Sequence, residues 1–267
     1  MPQTLHEFGG AGAVMHLAVA NGFPPETYTP LLAPLTAHYR VLSLPPRALW
    51  IPPPATDTVR SWRDLADDLL AGLRAHDLRD VIAVGHSFGA VASLVAAAQE
   101  PQRFRALILL DPTIFPPHML FTIRLMQTFG LQSRMPLVNG ALKRRARFDT
   151  LDEAFIYWRG KRLFSDWSDD ALRLYTKSVL HPSADGKLVL RWSPQWEARY
   201  YQTILTTTWR SVSQLRGKVP VLTLRGERSD TFFPAAAERL QRLLPDMRYS
   251  EIAEHGHLFP HTAPDAT

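Results

Sequence analysis

The chain has 267 residues, 46% of them hydrophobic and 21% charged, with a net charge of +5. That length suits one large α/β domain or two small ones, and no apolar run approaches the ~18 residues of a membrane span. Cysteine is absent, which excludes disulfides, thiol catalysis and thiolate metal sites and fits a reducing, cytoplasmic setting.

The N-terminal Met1–Glu7 has neither a charged n-region nor an apolar h-region, so no secretory signal is expected. Thr4 to Phe8 reads as a short first strand, ended by Gly9-Gly10. Ala13 to Val19 is a second strand running into Asn21-Gly22-Phe23-Pro24-Pro25. Thr27 to His38 reads as a helix, with Leu31, Leu32 and Leu35 on one face and Thr27 as its N-cap. Tyr39 to Leu44 is a third strand, followed by a proline-rich loop. Ser61 to His76 carries Trp62, Leu65, Ala66, Leu69, Leu70 and Leu73 at helical spacing, and Ser61 with Asp64 forms a capping box.

Val81 to Val84 then forms an apolar, largely β-branched run that reads as a buried strand. Gly85-His86-Ser87-Phe88-Gly89 breaks it, and Ala90 to Ala98 reads as a packed, Ala-rich helix. Strand, Gly-x-Ser-x-Gly, helix is the context of a nucleophile elbow. Such a serine sits on a strained turn, glycines two residues to either side remove clashing Cβ atoms, and the helix start favours a developing oxyanion. An incidental serine in a glycine-rich turn is the competing reading. It recedes once a base and an acid are found elsewhere.

Phe104 to Leu110 is a further buried strand, ending at Asp111-Pro112. From Ile114 to about Thr208 the pattern is helical with almost no strand, clearest over 150–159 and 168–180, and rich in aromatics. Most of the basic excess lies here: 14 Lys+Arg and 8 Asp+Glu between Pro112 and Thr208, a balance of +6, against −1 for the rest. Its densest run, Lys143-Arg144-Arg145-Ala146-Arg147, reads as a solvated helix face or as an attractor of anions. No zinc-finger, RNP or basic-zipper pattern accompanies it, so nucleic acid is not an expected partner. Alternation resumes with a strand over Val219–Leu224, a helix over Pro234–Leu244 and a strand over Met247–Ile252, leading to His255-Gly256-His257. Alternating strands and helices imply a mostly parallel, doubly wound α/β sheet, with sites at the strands' carboxyl ends. Asn21, Ser87, Asp111, Asp230 and His257 all follow expected strand ends.

With those residues in place, the chain resembles the α/β-hydrolase superfamily, in its serine-nucleophile branch, with a helical cap inserted after the strand ending at Asp111. The resemblance implies a core domain over 1–112 and 209–267 and a cap over 113–208. It implies Ser87 as nucleophile and His257 as base. Asp230, in the run Gly226–Pro234, is the implied acid, with Asp111 as the alternative. Backbone donors from Phe88 and Phe23 are the implied oxyanion hole. Asn21-Gly22 departs from the His-Gly that many members carry there. The family adds a helix after the base, of which Pro264–Thr267 resembles the first turn. His255 competes with His257 as base, but the Gly-His pair favours His257. His86 reads as a packed elbow residue, and His261 lies on the opening turn of the last helix.

The expected activity is hydrolysis of a carboxylic ester with an apolar acyl or alkyl group, through an acyl-enzyme on Ser87. Asn21, Trp196 and Tyr200 are the expected substrate-binding residues. A C–C bond hydrolase, an acyltransferase or a low-turnover binding protein would share the same triad. No metal-ligand spacing, Gly-x-Gly-x-x-Gly or P-loop is present, so no metal or cofactor is expected. The expected partner is a small apolar substrate, and the sequence does not determine an oligomeric state.

Overall fold

The strand before the elbow, β4, is buried at every position from Val81 to His86, as a central parallel strand covered on both faces must be. The computed structural model describes residues 4–267; Met1–Gln3, where the stretch read for a secretory signal begins, lie outside the described residues. Around β4 the other strands are β1 (His6–Gly9), β2 (Ala13–Ala18), β3 (Tyr39–Ser43), β5 (Phe104–Leu110), β9 (Val221–Gly226) and β10 (Arg248–Ile252). They form a seven-stranded sheet in the order β1-β3-β2-β4-β5-β9-β10. Only β1 runs antiparallel to its neighbour. The order places β4 and β5 at the middle of the sheet, so Ser87 and Asp111 emerge side by side at one edge.

The helix α1 (Thr29–Leu32) is a single turn between two 3₁₀ segments, Pro25–Tyr28 and Ala33–Ala37. The continuous helix expected over 27–38 does not form. Pro30 and Pro34 remove two amide donors from it, and Pro25 opens the first turn. By contrast α2 (Trp62–Ala75) forms as read. Ser61 Oγ accepts from the Arg63 amide and Asp64 Oδ2 accepts from the Ser61 amide. The elbow helix α3 (Phe88–Gln99) is buried along nearly its whole length and packs against α2 and against α9 (Thr208–Leu215).

Between β5 and β9 lie α4 (Pro117–Thr128), α5 (Pro136–Leu142), α6 (Leu151–Arg159), α7 (Asp169–Val179) and α8 (Pro194–Gln202). The segment is not free of strand. β6 (Arg147–Phe148), β8 (Leu188–Leu190) and β7 (Leu180–Pro182) form a small antiparallel sheet in that order. Thr150 and Ser168 cap α6 and α7 by accepting from the amides of Glu153 and Ala171. The segment's buried side chains, Trp158, Trp167 and Trp192 among them, join the sheet's own core in one continuous cluster. The chain closes with α10 (Pro234–Leu243) and the single turn α11 (Phe259–Thr262).

Candidate active site

Ser87 has φ 60° and ψ −123°, the strained geometry expected at an elbow. The flanking glycines explain why the turn can close. A Cβ on Gly85 would lie 2.5 Å from the Ala90 Cα, and one on Gly89 would lie 2.3 Å from the Ala18 carbonyl oxygen. Both contacts are with backbone and neither can yield. The elbow is fixed further by the Ser87 amide donating to the Leu110 carbonyl (3.0 Å).

The three-residue relay is complete, and the carboxylate in it is that of Asp111. His257 Nε2 lies 3.0 Å from Ser87 Oγ, and His257 Nδ1 lies 2.6 Å from Asp111 Oδ2. Asp111 is fully buried, with its carboxylate held by three donors. Oδ1 accepts from the Gly226 amide (2.9 Å), and Oδ2 accepts from Ser229 Oγ (2.5 Å) as well as from His257. Asp230, the acid first expected, is exposed at the rim, where its carboxylate accepts from the Thr231 hydroxyl (3.2 Å). The physical reason is position. β5 adjoins both β4 and β9, so a residue just past its end sits between the serine and the loop after β9.

Two further side chains adjoin the relay, and the first, Thr113, carried no signal in the sequence. Thr113 Oγ1 lies 3.0 Å from Ser87 Oγ, and the Thr113 amide donates to the Ser87 carbonyl (3.2 Å). His86 faces away from the nucleophile into the core. Its Nε2 donates to the His257 carbonyl (2.9 Å), which leaves Nδ1 to accept from the Tyr28 hydroxyl (2.8 Å). Tyr28 in turn accepts from the Ala20 amide (2.9 Å). Burial, with His257 and His261 nearby, pushes the His86 pKa well below its ordinary value, so the imidazole stays neutral. The packed role read for His86 thus includes bracing the loop that carries His257. His255 is turned to the Thr262 hydroxyl (3.0 Å) and takes no part in the relay.

The oxyanion donors differ from expectation by one. The Phe88 amide, first in α3, has no acceptor among the described residues and lies at the positive end of the helix. The Phe23 amide instead donates to the Ala20 carbonyl (3.1 Å), closing a turn. Phe23 contributes its ring, which stacks near Trp167 and His261.

Ser87 and His257 open on a cavity of about 410 Å³. Its wall is mainly apolar, with Phe23, Trp62, Phe115, Met119, Ile204 and Phe233 among the lining residues. Asn21 lines it too and donates from Nδ2 to the Glu197 carbonyl (3.0 Å), tying the loop after β2 to α8. Trp196 and Tyr200 do not line it. They share one face of α8, four residues apart, and are buried, with the Tyr200 hydroxyl accepting from the Ala48 amide (3.3 Å). The next positions, Glu197 and Tyr201, face the cavity. So does Arg144, which donates from Nη1 to Glu197 Oε2 (2.6 Å) and from Nη2 to the Tyr175 hydroxyl. Burial opposes the Arg144 charge, but Tyr175 and Glu197 hold the guanidinium above its ordinary pKa.

A doubly wound sheet with a serine elbow, a buried acid and a histidine at one edge defines an α/β hydrolase. The sequence profile of the Alpha/beta hydrolase family matches residues 10–267, and the chain belongs to that family. The 2-(acetamidomethylene)succinate hydrolase of Mesorhizobium japonicum is 28% identical over 206 residues, which cover 76% of this chain and 67% of that protein. Among solved structures, E-2-(acetamidomethylene)succinate hydrolase matches with a TM-score of 0.79 at 22% identity, covering 98% of this chain and 90% of its own. An esterase of M. tuberculosis matches with a TM-score of 0.75 at 18% identity, covering 98% and 84%. No helix among the described residues is long and apolar enough to cross a membrane.

Proposed function

We propose that the protein is a serine hydrolase of carboxylic esters that carry an apolar acyl or alkyl group. The observation that carries this reading is the unbroken chain Asp111–His257–Ser87 opening on a largely apolar cavity. Ser87 Oγ attacks the ester carbonyl carbon and passes its proton to His257 Nε2. Asp111, accepting from Nδ1–H, fixes the tautomer and stabilises the imidazolium. The oxyanion takes the Phe88 amide as donor. Collapse breaks the ester C–O bond, and the leaving alkoxide receives the proton from Nε2. Water then attacks the acyl-enzyme, giving its proton to His257, and Ser87 recovers that proton as the acid departs.

A second reading is favoured by one feature of the wall. Arg144, Glu197 and Tyr175 form a polar patch inside an otherwise apolar cavity, and the relative from Mesorhizobium acts on a succinate derivative. A substrate with a carboxylate reaching Arg144, cleaved at a bond other than an ester, fits that patch.

Labelling by a fluorophosphonate probe, read by intact mass, tests the nucleophile. One adduct on the wild type and none on Ser87→Ala is the expected result; equal labelling of both would sink the reading. A series of aryl esters of increasing chain length, set against 2-(acetamidomethylene)succinate, then separates the two substrates. Turnover of the succinate alone would replace the first reading by the second.

A further inference from the structure

The chain between Asp111 and Asp149 contains no acidic residue. It contains six cations, and three of them are paired: Arg144 with Glu197, Arg145 with Glu153 and Arg147 with Asp185. Arg124, Arg134 and Lys143 are exposed and have no acidic partner among the described residues. The same stretch exposes large apolar side chains. Phe121, Leu125 and Phe129 are 62%, 41% and 71% exposed. Their four-residue spacing puts them along one side of α4 and its C-terminal end. Leu131, Leu137 and Leu142 are exposed further on. This is not core packing left incomplete, because α4 buries Leu120 and Ile123 on its other side. A contiguous apolar face of this kind marks an interaction surface.

We propose that this face docks on an anionic lipid surface, from which the Ser87 cavity draws its substrate. Charge decides the occupant. Phenylalanine and leucine beside unpaired cations suit the headgroup boundary of an anionic bilayer. Each cation near such a surface contributes on the order of a few-fold in affinity, and no carboxylate in the stretch repels the phosphates. A second copy of the chain fits less well. A two-fold interface sets the same patch against itself, bringing Arg124, Arg134 and Lys143 together without counter-charges. The face is also continuous with the catalytic cavity. Met119 of α4 and Leu137 of α5 line that cavity, and Leu137 is itself 52% exposed. A lipid-borne chain therefore has an apolar path from the docked face to Ser87.

The docking is measured without turnover, so its outcome does not depend on what Ser87 cleaves. The full chain is sedimented with phosphatidylcholine vesicles, with and without phosphatidylserine. Binding is expected to require phosphatidylserine and to weaken with added salt. The double variant Phe121→Asp/Phe129→Asp should lose at least about tenfold in vesicle affinity. Arg124→Glu/Arg134→Glu should lose the phosphatidylserine dependence. Both variants should keep the wild-type rate of fluorophosphonate labelling at Ser87, which shows the fold intact. No binding to phosphatidylserine vesicles would overturn the proposal, as would binding that neither variant weakens. A wild-type dimer in solution that Phe121→Asp/Phe129→Asp makes monomeric, with no vesicle binding, would assign the face to a second copy instead.

Discussion

Asp111→Asn should nearly abolish turnover, and Asp230→Asn should not. The Asp111 carboxylate accepts three hydrogen bonds through two oxygens. Asparagine offers one oxygen and one NH₂. If the oxygen stays on the Gly226 amide, the NH₂ faces His257 Nδ1. That nitrogen must then accept, the ring proton moves to Nε2, and Nε2 can no longer take the proton of Ser87. In a serine-protease triad this substitution costs about 10⁴ in kcat, equivalent to roughly 5.5 kcal/mol of barrier. The Asp230 side chain is exposed and bonds the Thr231 hydroxyl, so its amide should change kcat by less than about threefold. Steady-state kcat on an aryl ester measures both, and a thermal melt of each variant checks the fold. Equal losses, or an Asp111→Asn enzyme that is folded and keeps more than about a tenth of wild-type kcat, would refute the assignment.

Thr113 should be felt in the acylation step. Since His257 Nδ1–H is committed to Asp111, Nε2 must accept from Ser87, and Ser87 Oγ therefore accepts from the Thr113 hydroxyl. Thr113→Val removes the donor that holds Ser87 Oγ in place for attack, so the fluorophosphonate labelling rate should fall about tenfold, the size of one hydrogen bond. Thr113→Ser should restore it, and a valine variant that labels at the wild-type rate would show the contact to be idle. Acid should unfold the protein early. Burial lowers His16 and His261 to about 3 and, with His257 and His261 nearby, His86 well below its ordinary value. Below the unfolded value of about 6.5 the unfolded chain binds three protons that the folded chain refuses. Stability is thus fully present above that pH and lost as pH falls, by up to ~4 kcal/mol per pH unit. Urea titrations between about pH 7 and pH 5 measure the slope, and a level or opposite trend would contradict the burial of these rings.

Much of this was legible because the signals were local. The β-branched run, the glycine pair and the Ala-rich helix announce β4, the elbow and α3 within 18 residues, Val81 to Ala98. The capping box at Ser61 was readable for the same reason. What escaped depended on tertiary context. Strands of two or three residues, such as Arg147–Phe148, are too short for a period-two pattern to register. On α8 the aromatic pair Trp196 and Tyr200 was visible, but the phase of the helix against the cavity was not. Packing set it one position on, at Glu197 and Tyr201. In the loop after β2 the spacing was right and the direction of a single amide, that of Phe23, was hidden.

The acid shows most clearly what spacing alone leaves open. Asp111 and Asp230 both follow strands that end at the same edge, and each stands before the histidine in the chain. What separates them is desolvation. A carboxylate can be fully buried only where donors compensate the loss of water, and Asp111 has three. Two of those, the Gly226 amide and the Ser229 hydroxyl, come from the run Gly226–Pro234, the stretch whose sequence pointed to Asp230. Asp111 also adopts φ 42°, a conformation that costs an L-residue on the order of 1–3 kcal/mol and persists only when its surroundings fix it. The loop after β9 therefore does belong to the relay. It contributes the cradle that holds the Asp111 carboxylate in place and aimed at His257, while its own aspartate stands exposed at the rim.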